Sequence, residues 1–307
     1  MKRVVESMGD EGRGTLSPRD LARALGASES SLKRWVDGGL IVAQRTPGGH
    51  RRIAVAEALR FVRERHATLV HPEMLGLRAR AGTRSTLGLS NLGAALRDAL
   101  VADDAPTAHA LLGDAWLGGE SLSALGDVPI REAFDAIGKL WLNGPDGIVR
   151  EHRAVRICLD GLRLLAERMP EPPTDAAVTA VGGAPSGDPY LLGTLLTWLT
   201  LRENGLRAVD LGCDVPDVAL LTAVDLYHPK FLWLSLSSDD AARALAQRLE
   251  PLLMALRERD VPLVIGGRCR WTAAEAASTR PAVVYLESLR DLAAFARARM
   301  VASAAGN

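Results

Sequence analysis

From Ala177 onward, short apolar runs alternate with helical patterns, and this alternation restricts the fold more than any other feature of the chain. Strands read at Ala177–Val181, Arg207–Asp210, Phe231–Leu236, Leu263–Ile265 and Val283–Leu286. Helices are expected at about 190–204, 216–226, 239–258, 271–277 and 288–301. Five strands alternating with helices predict a parallel sheet covered on both faces. Right-handed crossovers then favour a doubly wound, Rossmann-like α/β domain. Loops at the carboxyl ends of its strands would line a ligand crevice: 182–189 (GGAPSGDP), 211–216 (LGCDVP), 236–239 (LSSD) and 266–271 (GGRCRW). They are rich in small residues, among them Ser235, Ser237, Gly266 and Gly267. Glycine there permits close approach to a flat molecule, although it also serves ordinary turns.

Two stretches divide the 307 residues. One, from about His71 to Leu87, mixes Pro, Gly and Arg without periodicity; the other is Pro170-Glu171-Pro172-Pro173-Thr174, which stops any helix. Three domains follow, at about 15–70, 88–169 and 175–302, so the chain is an α+β multidomain protein. Net charge is zero, but residues 1–80 carry 15 Lys and Arg against 9 Asp and Glu. A basic segment on an otherwise acidic chain points to a polyanion partner for that segment, or simply to a solvated basic face. Three cysteines without CxxC spacing argue against a disulfide framework or a structural zinc site. The first 15 residues hold Glu6, Asp10 and Glu11 and no apolar core, unlike a signal peptide. The longest uncharged apolar window, Tyr190 to Leu201, is 12 residues, too short for a bilayer. The expectation is a cytoplasmic protein without a membrane partner.

Residues 88–169 are helical in periodicity, with helices at 88–101, 105–117, 129–142 and 147–168 and short loops between them, a four-helix bundle. Trp141 ends one helix, and Glu151 and His152 open the next across Asn143–Gly147. Adjacent helical residues diverge, so Glu151 and His152 do not both face one spot.

The first segment has its own signals. Ser17-Pro18 opens a helix whose apolar face is Leu21, Ala22 and Leu25, and Gly26 ends it. Ser28 caps a second helix to about Asp37, with Leu32, Trp35 and Val36 inward and Ser30, Ser31, Lys33 and Arg34 on or near the outer face. Two short helices joined by a Gly-containing turn form a helix-turn-helix, whose second helix would enter a major groove. Two extended stretches then flank Pro47-Gly48-Gly49, a wing bearing Arg45, His50, Arg51 and Arg52. Wing arginines suit phosphates and a minor groove. A third helix, Val55 to Arg65, packs Ala58, Leu59 and Val62 inward.

The pattern LxxxLGxSxSSLKRWVDxGLI…RTPGGHRRI, over about residues 15–66, resembles the winged-helix domain of the MerR family. The resemblance implies sequence-specific binding of duplex DNA, usually by paired protomers, with roles for Lys33, Arg34, Arg45, Arg51 and Arg52. Metal-sensing members place cysteines just after a long dimerisation helix; here none precedes Cys158, which argues against metal sensing.

Bundle plus doubly wound domain, about 88–302, resembles a cobalamin-binding module, and the whole chain is similar to the MerR-type, cobalamin-dependent, light-sensing repressors of carotenoid genes. That family's Trp-x9-Glu-His is matched by Trp141, Glu151 and His152. Its Asp-x-His-x-x-Gly falls on Asp188, Tyr190 and Gly193, and later loops match Asp214-Val215-Pro216, Ser235-x-Ser237 and Gly266-Gly267. The histidine that would bind cobalt from below is therefore Tyr190. The residue after the bundle tryptophan, often a histidine in light-sensing members, is Leu142. A phenol of ordinary pKa near 10 is a poor cobalt ligand at neutral pH. No cofactor is expected on this reading. The alternatives are cobalamin bound base-on, with Tyr190 packing near the nucleotide tail, and another flat cofactor such as haem, for which tyrosinate is an axial ligand type.

The expected function is a MerR-type DNA-binding regulator of the repressor kind. Its cobalamin-type effector domain would work without His-ligated B12 and would assemble dimers or tetramers. A small anti-repressor protein docking on the winged helix is compatible with this. The competing readings are a cobalamin- or haem-binding light or redox sensor and a corrinoid methyl carrier. No convergent acid, base and nucleophile set is visible: Asp188 and His152 are the only candidates, in different segments, so an enzyme is not expected.

Overall fold

The computed structural model describes residues 14–77, 88–139, 144–172, 179–268 and 283–305. Trp141, Leu142, Cys269, the helix expected at 271–277 and much of both expected linkers lie outside the described residues. The chain divides into two units, one of Met1–Thr86 with Gly113–Gly119 and Leu164–Pro170, the other of the remaining residues.

In the first unit, the Ser17 hydroxyl accepts from the Asp20 N–H at 3.1 Å and starts α1 (Pro18–Ala24). Gly26, at φ +60°, turns the chain in a region that other residues enter only at a cost. Ser28 accepts from the Ser31 N–H at 3.1 Å and starts α2 (Glu29–Asp37). Strands β1 (Thr15–Leu16), β2 (Gln44–Arg45) and β3 (Arg51–Ala54) form an antiparallel sheet in the order β1-β3-β2, and α3 (Val55–Arg65) follows directly. Leu21, Leu32, Ile41, Ile53, Leu59 and Phe61 make the core. Trp35 packs against that core with its ring centroid 5.1 Å from that of Phe61. The connector after α2 is tied down from α3. Glu57 accepts from the Val42 N–H at 2.7 Å, and Arg60, flanked by Glu57 and Glu64, donates to the Leu40 carbonyl at 2.9 Å.

Two expectations need correction. The stretch expected as a linker from His71 begins inside this core: a 3-10 turn at Pro72–Leu75 buries Leu75, and Leu77 follows it in. Single apolar residues among Pro and Gly gave no period to read. The third helix of the bundle starts not at 129 but at α6 (Leu122–Leu125). It continues through a π-helical turn, Gly126–Ile130, into α7 (Arg131–Ile137). Ser121 caps it, accepting from the Ala124 N–H at 3.1 Å. Pro129 sits within the wider turn, where its missing N–H and ring are accommodated. The other helices are α4 (Leu89–Val101), α5 (Ala105–Leu117) and α8 (Pro145–Arg168). Within the second unit α4 packs on α7.

The α/β part runs β4 (Thr179–Gly183), α9 (Leu191–Glu203), β5 (Arg207–Asp210), α10 (Asp217–Tyr227), β6 (Phe231–Leu236), α11 (Asp239–Ala246), α12 (Leu249–Glu258), β7 (Leu263–Gly267), β8 (Val283–Leu286) and α13 (Leu289–Ala305). The five strands are all parallel, in the order β5-β4-β6-β7-β8. The helix expected over 239–258 breaks at Gln247-Arg248, where the Arg248 guanidinium reaches the Ser186 carbonyl at 2.8 Å and Asp217 at 3.1 Å.

Every residue of β6 is buried, because both faces of the sheet are covered. Leu232, Leu234 and Leu236 point into a core with Leu220, Leu245, Leu252 and Leu256 of α10–α12. Phe231 and Trp233 point the other way, against Leu201 of α9 and Leu292 and Ala296 of α13. No described helix is long and apolar enough to cross a membrane.

Candidate functional site

In a doubly wound sheet, ligands sit beyond the carboxyl ends of the strands, where the strand order reverses. Here β4 is followed by its neighbour β5 on one side and then by β6 on the other, so the reversal lies between β4 and β6. At that point Asp188, fully buried, accepts from the Ser237 N–H and the Ser237 hydroxyl, each at 2.7 Å, and from the Tyr190 N–H at 3.2 Å. The loops after β4 and β5 are bonded to each other as well. Ala184 N–H donates to the Gly212 carbonyl at 2.8 Å, Val215 N–H to Ala184 at 3.0 Å, and Gly187 N–H to the Asp214 carboxylate at 2.8 Å.

A cavity of about 440 Å³ lies beside this closure, over the carboxyl ends of β6, β7 and β8. Its origin is a change of side-chain size along β6. Phe231 and Trp233 fill the space between the sheet and α9 and α13, whereas Ser235, next on the same face, does not. Gly193 on α9 keeps that space open, since a Cβ there would come within 2.5 Å of the Ser235 hydroxyl. Leu192, Leu196, Val264 and Leu289 line the walls, and Ile130, Phe134 and Val155 of the helical part close the far side.

The helical part is held over the cavity by polar contacts within the second unit. Asp127 accepts from the Leu289 and Arg290 N–H groups at 2.9 and 3.0 Å, capping α13. Arg268 pairs with Asp135 on α7, and the Leu122 N–H donates to Glu203 at 2.8 Å.

Glu151, Tyr190, Gly193, Ser235, Ser237, Gly266 and Gly267 all line this one cavity. Glu151 is 8% exposed and Ser235 9%, while Tyr190 is 45% exposed. Asp188 lies outside the lining and serves the loop closure instead. His152 is turned outward, its Nδ1 3.0 Å from the Ile148 carbonyl and 2.8 Å from Glu151. The loops 182–189 and 211–216 do not line the cavity, contrary to expectation, because their polar groups are used on each other. Arg131, Phe134, Leu196 and Arg268 were missed. Only their phase on α7 and α9, and the position of Arg268 just after β7, could have pointed to them.

Burial pushes the Asp210 carboxyl, at the end of β5, above its ordinary value; the Gly212 N–H, the Thr194 hydroxyl and Arg163 act against that shift. Burial likewise pushes the Cys158 thiol up to about 12 and raises that of Cys213. Both remain protonated at neutral pH, so neither is set up as a thiolate nucleophile.

In the first unit, Lys33, Arg34, Arg45, His50 and Arg52 are exposed. The side chains of Lys33, Arg34, Arg45 and Arg52 have no ion-pair partner among the described residues. Arg51 differs: it is partly buried and pairs with Asp37 at the end of α2, at 2.8 Å. The Ser30 and Ser31 hydroxyls lie 2.9 Å from that of Ser28, within the cap of α2. The hairpin between β2 and β3 closes with Thr46 N–H to His50 carbonyl at 2.9 Å and Gly49 at φ +76°.

A helical region and a five-stranded parallel sheet with its cavity at the carboxyl edge define a cobalamin-binding-like fold. The solved structure of the Methanosarcina barkeri monomethylamine corrinoid protein is similar at a TM-score of 0.50 and 19% identity, covering 66% of this chain and 96% of that one. A cobalamin-binding protein from Desulfitobacterium hafniense DCB-2 matches at a TM-score of 0.36 and 16% identity, over 70% of this chain and 99% of that one. The methanol:cobalamin methyltransferase complex MtaBC from Methanosarcina barkeri matches at a TM-score of 0.36 and 20% identity, over 89% and 93%. At 19% identity the first match shows a shared fold. No family model and no curated protein sequence matches the chain.

The structure that shares this fold is that of a corrinoid protein, and the residues present here do not fit a corrinoid ligated by histidine. No histidine is among the described residues that line the cavity. The Asp188 carboxylate is spent on Ser237 and Tyr190.

Proposed function

We propose that the chain is a sequence-specific DNA-binding transcriptional regulator of the MerR type and of the repressor kind. In this reading the second unit is an effector and oligomerisation domain that works without His-ligated cobalamin. The observation that carries it is the Arg51–Asp37 pair, which holds the β2–β3 hairpin beside the end of α2. A helix and a hairpin joined in this way present Lys33 and Arg34 together with Arg45 and Arg52. The helix would enter a major groove while the hairpin, as a wing, meets phosphates or the adjacent minor groove.

The test is selection of the full chain against a pool of random duplexes, followed by anisotropy titrations of an enriched duplex across a salt series. Enrichment of a defined sequence, with affinity falling steeply as salt rises, is the expected outcome. A pool that returns unenriched overturns the reading.

A further inference from the structure

We propose that the cavity beside Ser235 is a binding site for a lipophilic organic cation of drug size rather than for a corrinoid. The inference names the ligand class of the effector domain proposed above and rests on that reading for its biological meaning. DNA binding by the first unit is measured separately.

A volume of about 440 Å³ falls within the range of small-molecule pockets. Trp233, 1% exposed, sets the floor, and its ring lies against Gly182 so closely that a Cβ there would collide with it. The ring has no room to swing toward β4 and deepen the cavity.

Leu192, Leu196 and Leu289 line the space together with Phe134 and Val155, so an occupant meets largely apolar surface.

Charge decides the class. Both lining arginines already have carboxylates: Arg131 lies 3.4 Å from Asp127, and Arg268 is paired with Asp135. Asp127 is also engaged by two N–H groups of α13. Glu151 is different. It is 8% exposed, and one carboxylate oxygen meets His152 at 2.8 Å. Its other oxygen has no partner among the described residues. A carboxylate held in an apolar cavity is stabilised by a cation that brings its own apolar body.

The experiment titrates the full chain with thioflavin T, a flat lipophilic cation that fluoresces when immobilised. 8-Anilinonaphthalene-1-sulfonate, similar in size and opposite in charge, serves as the comparison. The expected result is saturable, one-to-one binding of thioflavin T that Glu151→Gln weakens about tenfold, the loss of one partly buried charge pair. Anilinonaphthalene sulfonate should bind the Glu151→Gln variant no more weakly than the wild type. Glu151→Gln changes one atom, and an unchanged thermal melt excludes misfolding as the cause. Thioflavin T binding indifferent to Glu151→Gln overturns the proposal, as does one equivalent of adenosylcobalamin retained after desalting. A chain that enriches no duplex but binds the dye as expected refutes the regulator reading and leaves this one standing.

Discussion

Asp188 and Ser237 are bonded twice, the carboxylate taking both the backbone N–H and the hydroxyl of the serine at 2.7 Å. The pair joins the loop after β4 to the end of β6 at the place where the strand order reverses. It stitches shut the crevice that this kind of sheet ordinarily offers to ligands, and the usable space is displaced toward β6, β7 and β8. Asp188 is fully buried, so its bonds are made away from water.

Ser237→Ala removes one of these bonds and leaves a buried carboxylate short of a donor. Hydrogen bonds to charged groups contribute about 1.5–3 kcal/mol, and a loss in that range is expected in urea unfolding at neutral pH. Ser237→Thr retains the hydroxyl and should recover most of it. A Ser237→Ala protein as stable as the wild type would mean that the closure is incidental to stability.

The Arg51–Asp37 pair makes a prediction that charge alone would not. Asp37 is partly exposed, so the pair contributes about 1 kcal/mol or less to stability. If it braces the hairpin against α2, Asp37→Ala weakens duplex binding even though it removes a negative charge from a surface facing a polyanion. The double variant with Arg51→Ala should then bind no worse than the poorer single one. Tighter binding by Asp37→Ala refutes the brace.

Arg45 and Arg52 should behave as independent phosphate contacts. Each replacement by Ala is expected to weaken binding across sequences and to reduce the salt slope by about one. Neither should shift the thermal midpoint, since both side chains are exposed.

Two carboxylates give opposite pH signatures. Burial alone would raise the Glu57 carboxyl, but the Arg60 guanidinium and the Val42 N–H outweigh it and hold it below its ordinary value of 4.5. Its stabilising contribution is present above that value and is lost as pH falls through the lower folded value. Glu57→Gln should therefore flatten the acid limb of a urea-midpoint profile. Asp210 runs the other way. Its raised folded value means that the fold carries a penalty which is absent below 3.8 and grows as the group ionises. Asp210→Asn should raise the melting temperature at pH 7, and the gain should vanish in acid. A gain that persists below the ordinary value would assign the effect to packing.

Much of the architecture was legible in the residues. The runs at 207–210, 231–236 and 283–286 are strands with the expected bounds, since each is a short run set between helical patterns. Ser17, Ser28 and Gly26 marked the first two helices through local bonds and a positive φ. The readings that failed concern places where a local signal competes with packing. The helix expected from 129 begins earlier, because a π turn accommodates Pro129, and the stretch at Pro72–Leu75 looked like a linker although Leu75 has a core to enter. The motif spacing put Glu151 and His152 together in sequence, yet only Glu151 lines the cavity, since neighbours on a helix point in different directions.

The sequence by itself determined the strands, most of the helices and which faces are apolar, because periodicity and capping are properties of a few neighbouring residues. Only the tertiary structure decided that Trp233 ends the cavity where Ser235 begins it and that Asp188 is consumed by Ser237. It also decided that Arg51 answers Asp37. Each of these depends on residues from separate elements meeting at a few ångströms, and pattern along a chain does not encode which side chains will share a space.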